Sequence, residues 1–355
     1  MAATRVGVEI TEESVRAVEM TIGRSPRVLA YGEAPLPPDA AKDSEIHDEG
    51  AVAVAIRQLW STACIKSRNV TLGIASRRVL VREYTTAALP RPVMQKALPF
   101  QVQDLLPVPV NQAVLDFYPT AQEGDQVHGL LVAAVAETVE QMIAAFTRSR
   151  IRVTRVDLTA FGLARAVRRD ASVGTVAAIH VGDHTTQVVI LRDGIPMFVR
   201  ILPADIETTA VRRRGVLAPV DETADAEIPM LAAVGAAGIL PAGIARQADA
   251  LAPGALRGTL RGEFGGRAVT DLLSRLHSTL DFYMTRPGGT GIDRVLLTGA
   301  GAAVNGVQRG LADRDAYPVQ VISLADVGAV AGGEPGGELA LNLVSTAGLA
   351  LGKDT

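Results

Sequence analysis

Apolar and polar positions alternate from the start of the chain. RVGVEI (5–10) and SVRAVEM (14–20) place apolar side chains at every second residue, and RVLAYGEAPLP follows the turn at Ser25-Pro26, so the spacing predicts a three-stranded meander. Between Ala51 and Trp60 the apolar period lengthens to that of a helix, and NVTLGIA and VLVREYTTAALP return to strands. A helix is predicted over PVMQKALPFQVQDLL, ending before Pro107-Val108-Pro109, because proline lacks the N–H that the next turn needs. Next come the strand AVLDFYPTAQ, a polar turn at Glu123-Gly124-Asp125, the strand GLLVAAVA, a helix from Thr138 to Ser149 and the strand RVTRVDLTA.

From Gly174 the opening pattern returns. TVAAIHVG, TTQVVILRDG and IPMFVRILP read as three further strands, which suggests two related halves, with a period too long for a solenoid. Between 206 and 267 the composition shifts to Ala, Gly, Pro and Arg and periodicity fades. The apolar stretch Ile228 to Ala245 reads as buried helix and loop, since Pro229, Pro241 and its glycines break a membrane span. A long helix is expected over Ala268 to Met284, then a strand, glycine turn and helix in RVLLTGAGAAVNGVQRGLADRD, the strand YPVQVIS, a loop over 332–337 and a terminal helix LNLVSTAGLALG.

Composition narrows the class. A chain of 355 residues with 48% apolar and 21% charged residues buries a core and divides into two or three domains. A net charge of −3 gives no reason to expect nucleic acid, and the compact basic run Arg212-Arg213-Arg214 reads as a solvated face. The single Cys64, between Ala63 and Ile65, rules out an internal disulfide and a multi-cysteine zinc site, and is read as a small core residue. MAATRVGVEI lacks the apolar run of a secretory signal, so a cytoplasmic location without direct membrane insertion is expected.

Taken in order, GVEITEESVRAVEM, LPRPVMQKALPFQVQDLLPVPVNQAVLDFY, LLVAAVAETVEQMIAAFTRSRIRVTRVDLTAFGLARA, HVGDHTTQVVILRDGIPMFVRILP and LLTGAGAAVNGVQRGL resemble the PilM family of type IV pilus assembly proteins, relatives of the division protein FtsA. The resemblance implies an actin-like (ribonuclease H-like) two-lobed α/β fold with an FtsA/PilM-type extra subdomain. Residues 1–170 with 340–355 would form the first lobe, including the subdomain at about 77–156, and 171–339 the second. It also implies a cytoplasmic scaffold, peripheral at the inner face of the membrane. Such a scaffold would hold the N-terminal tail of a PilN-like inner-membrane protein, contact assembly motor or platform proteins, and have the capacity to form homo-oligomers. The competing readings are an active ATPase or sugar-kinase-like enzyme on the same fold, and an FtsA-like division protein, which the absence of that family's terminal amphipathic helix disfavours.

By the same resemblance ATP and Mg²⁺ are the implied cofactors, and the loop residues argue against them. In the first phosphate loop, family members that use ATP carry Asp, Gly and hydroxyl residues. Here Glu9, Thr11, Glu12 and Glu13 stand at those positions, with Ser14 and Arg16 retained, so carboxylates face where anions would sit. Glu12 and Glu13 are free to turn into solvent on this reading. In the second loop His180 replaces the expected Asp, and imidazole is a poor ligand for a hard, oxygen-seeking ion. Gly182, Thr185 and Thr186 preserve the hairpin, and Asp183 at its tip is a candidate replacement carboxylate. Thr298, Gly299 and Gly301 match the adenosine turn, although such glycines equally serve close packing, and Ala300 replaces one of the usual pair. His180 and His184 do not suggest a metal pair. No hydrolytic constellation stands out, the remaining Asp and Glu are read as surface, and no catalytic residue is assigned.

Overall fold

The computed structural model describes residues 3–23, 25–42, 45–217, 253–315 and 317–352. The stretch Ile228 to Ala245 lies outside the described residues. Both meanders form. Strands β1 (Thr4–Ile10), β2 (Ser14–Thr21) and β3 (Arg27–Pro35) run antiparallel, and a short ribbon of β4 (Ala41–Lys42) and β5 (Glu45–Ile46) precedes α1 (Glu49–Thr62). Asp48 caps α1 by accepting the Ala51 N–H at 3.0 Å. Strand β6 (Asn69–Ile74) then lies parallel to β1.

An insertion follows. Strands β7 (Leu80–Ala87), β8 (Ala113–Glu123) and β9 (Gln126–Val135) make a separate three-stranded sheet in the order β7-β9-β8, covered by α2 (Arg91–Gln101). Leu98 and Val102 pack on Leu131, and Gly124 turns the hairpin with a φ of 58°, left-handed backbone that glycine adopts without strain. Helix α3 (Ala136–Arg148) returns to the first sheet, whose order is completed as β10-β6-β1-β2-β3-β16 by β10 (Arg152–Leu158) and a late edge strand, β16 (Ala329–Val330).

After α4 (Thr159–Ala166) the second meander builds a like sheet from β11 (Thr175–Val181), β12 (Thr185–Arg192) and β13 (Ile195–Pro203). Helices α5 (Thr209–Leu217) and α6 (Pro253–Thr285) precede β14 (Arg294–Thr298), α7 (Val307–Asp315) and β15 (Val319–Val321), giving the order β13-β12-β11-β14-β15. Helix α8 (Leu324–Val327), β16 (Ala329–Val330) and α9 (Gly337–Ala350) end the chain, and β16 pairs with β3 of the first sheet.

Two helices are clamped between the sheets. Alternation sends Val6, Val8 and Ile10 toward α1 and α3, whereas Val18 and Met20 face inward to meet Phe161 and Leu163 of α4, Leu343 and Ala347 of α9, and Ala178 and Val189 of the second sheet. On its far side the second sheet packs Ile179 and Val181 on Leu272, Leu276 and Tyr283 of α6. Because α4 and α9 are buried all round, neither carries an amphipathic stripe. This is why the pattern extended the preceding strand across Thr159 and Ala160, which begin α4. The long helix starts at Pro253 instead of Ala268, and among the described residues no helix is long and apolar enough to cross a membrane.

Cys64 is exposed, contrary to the core position expected from its neighbours: it sits at the turn after α1 with a φ of 54°, where its side chain points away from the core. Where α9 crosses α4 the backbones nearly touch, so that a Cβ on Gly348 would lie 1.8 Å from the Gly162 carbonyl oxygen. Gly348→Ala is therefore expected to lower stability by roughly 3 kcal/mol, the upper range for overpacking. Gly266→Ala, on α6 with nothing within 4 Å of the added methyl, should raise stability by up to about 1 kcal/mol through helix propensity. Urea unfolding midpoints of the two variants check the opposite signs.

Candidate functional site

The turns of the two meanders meet tip to tip. In the first, the Thr11 N–H donates to the Ser14 carbonyl at 2.9 Å, and in the second the Gly182 N–H donates to the Thr185 carbonyl at the same distance. A Cβ on Gly182 would come 2.9 Å from the Thr185 oxygen, so the tightness of this turn depends on glycine. Equivalent positions, one residue before the end of the first strand of each meander, are held by Glu9 and His180. Their cross-strand partners are Arg16 and Gln187.

Arg16 is the centre of the site. Its buried guanidinium donates from Nη2 to Asp183 Oδ2 at 2.9 Å and from Nε to Glu33 Oε1 at 2.7 Å, so one cation joins β2, β3 and the second-sheet turn. Ser14 Oγ donates to the same Glu33 oxygen at 2.6 Å, and the Thr208 hydroxyl donates to the other oxygen of Asp183. Burial opposes a charge on Asp183, but Arg16 and the Thr208 hydroxyl outweigh it and hold the carboxyl below its ordinary range. Burial likewise opposes the Arg16 charge, and the carboxylates around it more than restore it.

A second clasp lies closer to solvent. His184 donates from Nε2 to Glu13 at 2.9 Å and from Nδ1 to Asp205 at 2.8 Å. Both ring nitrogens act as donors only in the imidazolium form. Burial alone would lower its pKa, yet the carboxylates at Glu13 and Asp205 push it up to about 9. Arg214 adds a third donor, from Nη1 to Glu13 at 3.0 Å. Glu13 is thus pinned across the cleft instead of turning into solvent, and Arg214 is an ion-pair partner instead of part of a solvated basic run. Burial raises the pKa of Glu12, against the pull of the neighbouring His184.

Deeper still, Glu9 is 2% exposed and accepts the Ser345 and Thr346 hydroxyls of α9 at 3.3 and 3.2 Å, with burial raising its pKa. Glu9, Glu13 and Asp183 are all buried at the facing turns. His180 is neutral, pushed down to about 3 by burial and by the Arg16 charge, and its Nδ1 makes no hydrogen bond among the described residues. Thr186 and Gln187 lie buried beside it on β12. The space enclosed by Glu9, Thr11, Glu12, Asp183, His184 and Thr185 measures about 20 Å³, which is room for a single water.

The glycine turn is explained by packing. A Cβ on Gly299 would approach the Val181 carbonyl to 2.3 Å, and one on Gly301 would meet the Val181 side chain at 2.2 Å. Thr298 donates to the Leu341 carbonyl at 2.7 Å and the Ala300 N–H donates to Asn342 Oδ1, also at 2.7 Å, which fastens the turn to α9. Beyond it, Asn305, Gly306, Arg212 and Glu338 line an open cavity of about 540 Å³.

A broad apolar groove lies elsewhere. A groove of about 710 Å³, continuing into one of about 300 Å³, separates the inserted sheet from the first sheet. Leu89, Met94 and Leu98 from around α2 line one side and Phe161 of α4 the other, with Tyr118 stacked on Phe161 at a ring separation of 4.9 Å. Phe100 lies outside the groove, 80% exposed. The inserted sheet is also tied to the second lobe, through an ion pair from Glu83 of β7 to Arg286, whose guanidinium stacks on Phe198 and Tyr283.

Twin meanders, central helices and facing turns define a two-lobed protein of the actin-like ATPase fold. The chain belongs to the family of type IV pilus assembly protein PilM, whose pattern matches residues 7–202. Over 99% of this chain and 98% of that one, the fold is similar to a PilM-PilN type IV pilus biogenesis complex, at 20% identity and a TM-score of 0.73. It is also similar to the ethanolamine utilization protein EutJ from Carboxydothermus hydrogenoformans, at 12% identity and a TM-score of 0.52, over 99% of this chain and 90% of that one.

Two outcomes follow from the clasp. Arg16→Met leaves the buried Asp183 and the half-buried Glu33 without their cation, and should cost about 3 kcal/mol in urea unfolding. His184 has an ordinary pKa of 6.5 and a folded one of about 9, so its contribution to stability is complete below 6.5 and fades as pH rises through 9. Melting temperature should fall over that window, and His184→Gln should flatten the fall.

Proposed function

We infer that this protein is a binding scaffold of type IV pilus or related secretion machinery. It takes the N-terminal tail of a PilN-like inner-membrane protein into the groove beside α2, and binds ATP weakly or not at all. The observation that carries the reading is the groove: an apolar channel between two sheets suits an extended peptide, and a solved relative of the same fold is a PilM-PilN complex. On this reading the protein works in the cytoplasm at the inner face of the membrane, held there through its partner, and meets motor or platform proteins, with homo-oligomers possible. Residues 1–170 with 340–355 form one lobe and 171–339 the other, except that the β16 edge at 329–330 belongs with the first sheet.

The nucleotide side of the proposal rests on chemistry at the turns. Asp183, the candidate replacement carboxylate, is occupied by Arg16 and Thr208, and Glu13 by His184 and Arg214. The remaining 20 Å³ does not fit a Mg-triphosphate, so no step of hydrolysis is derived for these residues. Loss of two charge-assisted phosphate contacts, at about 1.5–3 kcal/mol each, weakens affinity by roughly two to four orders of magnitude. The cavity beside Asn305 and Gly306 is the one observation favouring a nucleotide-binding alternative, since it adjoins the turn that matches the adenosine motif.

Calorimetry decides both parts. A synthetic peptide of the PilN-like tail should bind saturably, and millimolar Mg-ATP should give little heat. Failure of the peptide to bind a folded sample would remove the partner. Micromolar, Mg²⁺-dependent ATP binding that is lost in His180→Ala or Glu9→Ala would overturn the closed site.

A further inference from the structure

The lining of the groove says how a peptide would sit there. Eight consecutive residues of β8, Leu115 to Gln122, border the larger cavity. A cavity under the face of a sheet meets every second residue of a strand, because side chains alternate; one that runs along an edge meets them all. β8 is the outer strand of the order β7-β9-β8. The opposite wall has the same character, since Arg155 to Leu158 of β10, the outer strand of the first sheet, border the two cavities in an unbroken run. The groove thus runs between two strand edges.

The polarity of the β8 edge follows from Pro119. Proline has no N–H and is accommodated in a sheet only where the ladder needs none, so position 119 points its backbone away from β9. Alternation then turns Phe117 and Leu115 outward as well. Phe117 agrees: its N–H donates to the Asp116 carboxylate at 2.9 Å. On β10 the Leu158 N–H is held in the same way by Asp157, whose carboxylate also takes Arg165 at 2.6 Å. One donor is thus taken on each edge, with Arg165 drawn onto Asp157 beside β10, and alternation leaves the N–H and carbonyl of Leu115 and the carbonyls of Phe117 and Pro119 outward on β8 for a new neighbour.

We propose that the occupant adds to β8 as a fourth strand, pairing with the outward backbone of Leu115 to Pro119. This deepens the peptide-binding reading given above and rests on it. Five paired residues of β8 call for a partner segment of about six residues. Its side chains would alternate between Met94 and Leu98 on the α2 side and Val132 and Phe161 on the other, all of them groove residues. Both faces being apolar, the segment is a near-continuous apolar run and not an alternating one. Charge adds a second requirement. Arg91, Arg155 and Arg165 face the groove against Asp116 and Asp157, and Arg91 has no ion-pair partner among the described residues. The complement is a carboxylate flanking the apolar run, placed to meet Arg91.

The test uses the full chain and synthetic peptides of the PilN-like tail, each carrying one backbone N-methyl group at successive positions of the apolar run. Methylation at every second residue should weaken binding at least tenfold, and methylation between them should change it less than threefold. Amide exchange at Leu115 should slow in the complex. Arg91→Glu should weaken binding at least fivefold, with recovery when the peptide's flanking acidic residue becomes Lys. If the unmodified peptide binds but methylation has no two-residue period and Leu115 exchange is unchanged, strand addition is wrong while the groove reading stands. If the unmodified peptide does not bind, both fail.

Discussion

One buried guanidinium decides how the two halves of this protein relate. Arg16 stands on β2, where alternation turns it inward from the first sheet, and it reaches the Asp183 carboxylate in the turn of the second sheet. A buried cation is tolerable only when carboxylates surround it, and Glu33 and Asp183 do so from opposite sides of the cleft. Opening the lobes would separate Arg16 from Asp183 and leave each partly desolvated and partly paired. The pairing therefore favours the closed arrangement.

The clasp also fixes the shape of the cleft from within. In each turn the backbone geometry is set by a carbonyl-to-amide hydrogen bond and, in the second, by Gly182. Side chains that would otherwise be free to meet an anion are turned on one another: Glu13 on His184 and Arg214, Arg16 on Asp183. The positive charges of Arg16, His184 and Arg214 are neutralised from within the protein. Helices α4 and α9 carry the rest of the load, since their small residues let the backbones meet at Gly162 and Gly348 and bring Ser345 and Thr346 to Glu9.

Much of this was legible in the residue pattern. Both meanders and the inserted strand-turn-strand unit followed from periodicity and from the matched segments. The register of the first meander even contained the Arg16–Glu33 pair, which lie directly opposite on β2 and β3. The cross-cleft pairs were hidden because they join segments far apart in the chain. Asp183 meets Arg16 across 167 positions and Arg214 meets Glu13 across 201, and no local pattern marks either. Helix α4 escaped because burial on all sides removes the amphipathic signal, and Cys64 because apolar neighbours say nothing about a left-handed turn.

The clasp and the groove are mechanically linked through the inserted sheet. That sheet touches α4 by Tyr118 on Phe161 and the second lobe by Glu83 on Arg286, so its position depends on where both lobes stand. The groove, in turn, is bounded by one strand of the inserted sheet and one of the first sheet. Rotation of the second lobe would pull on β7 through Arg286 and tilt β8 relative to β10. Holding the lobes together at Arg16 and His184 therefore fixes the inserted sheet against the first sheet, and with it the width of the groove between them.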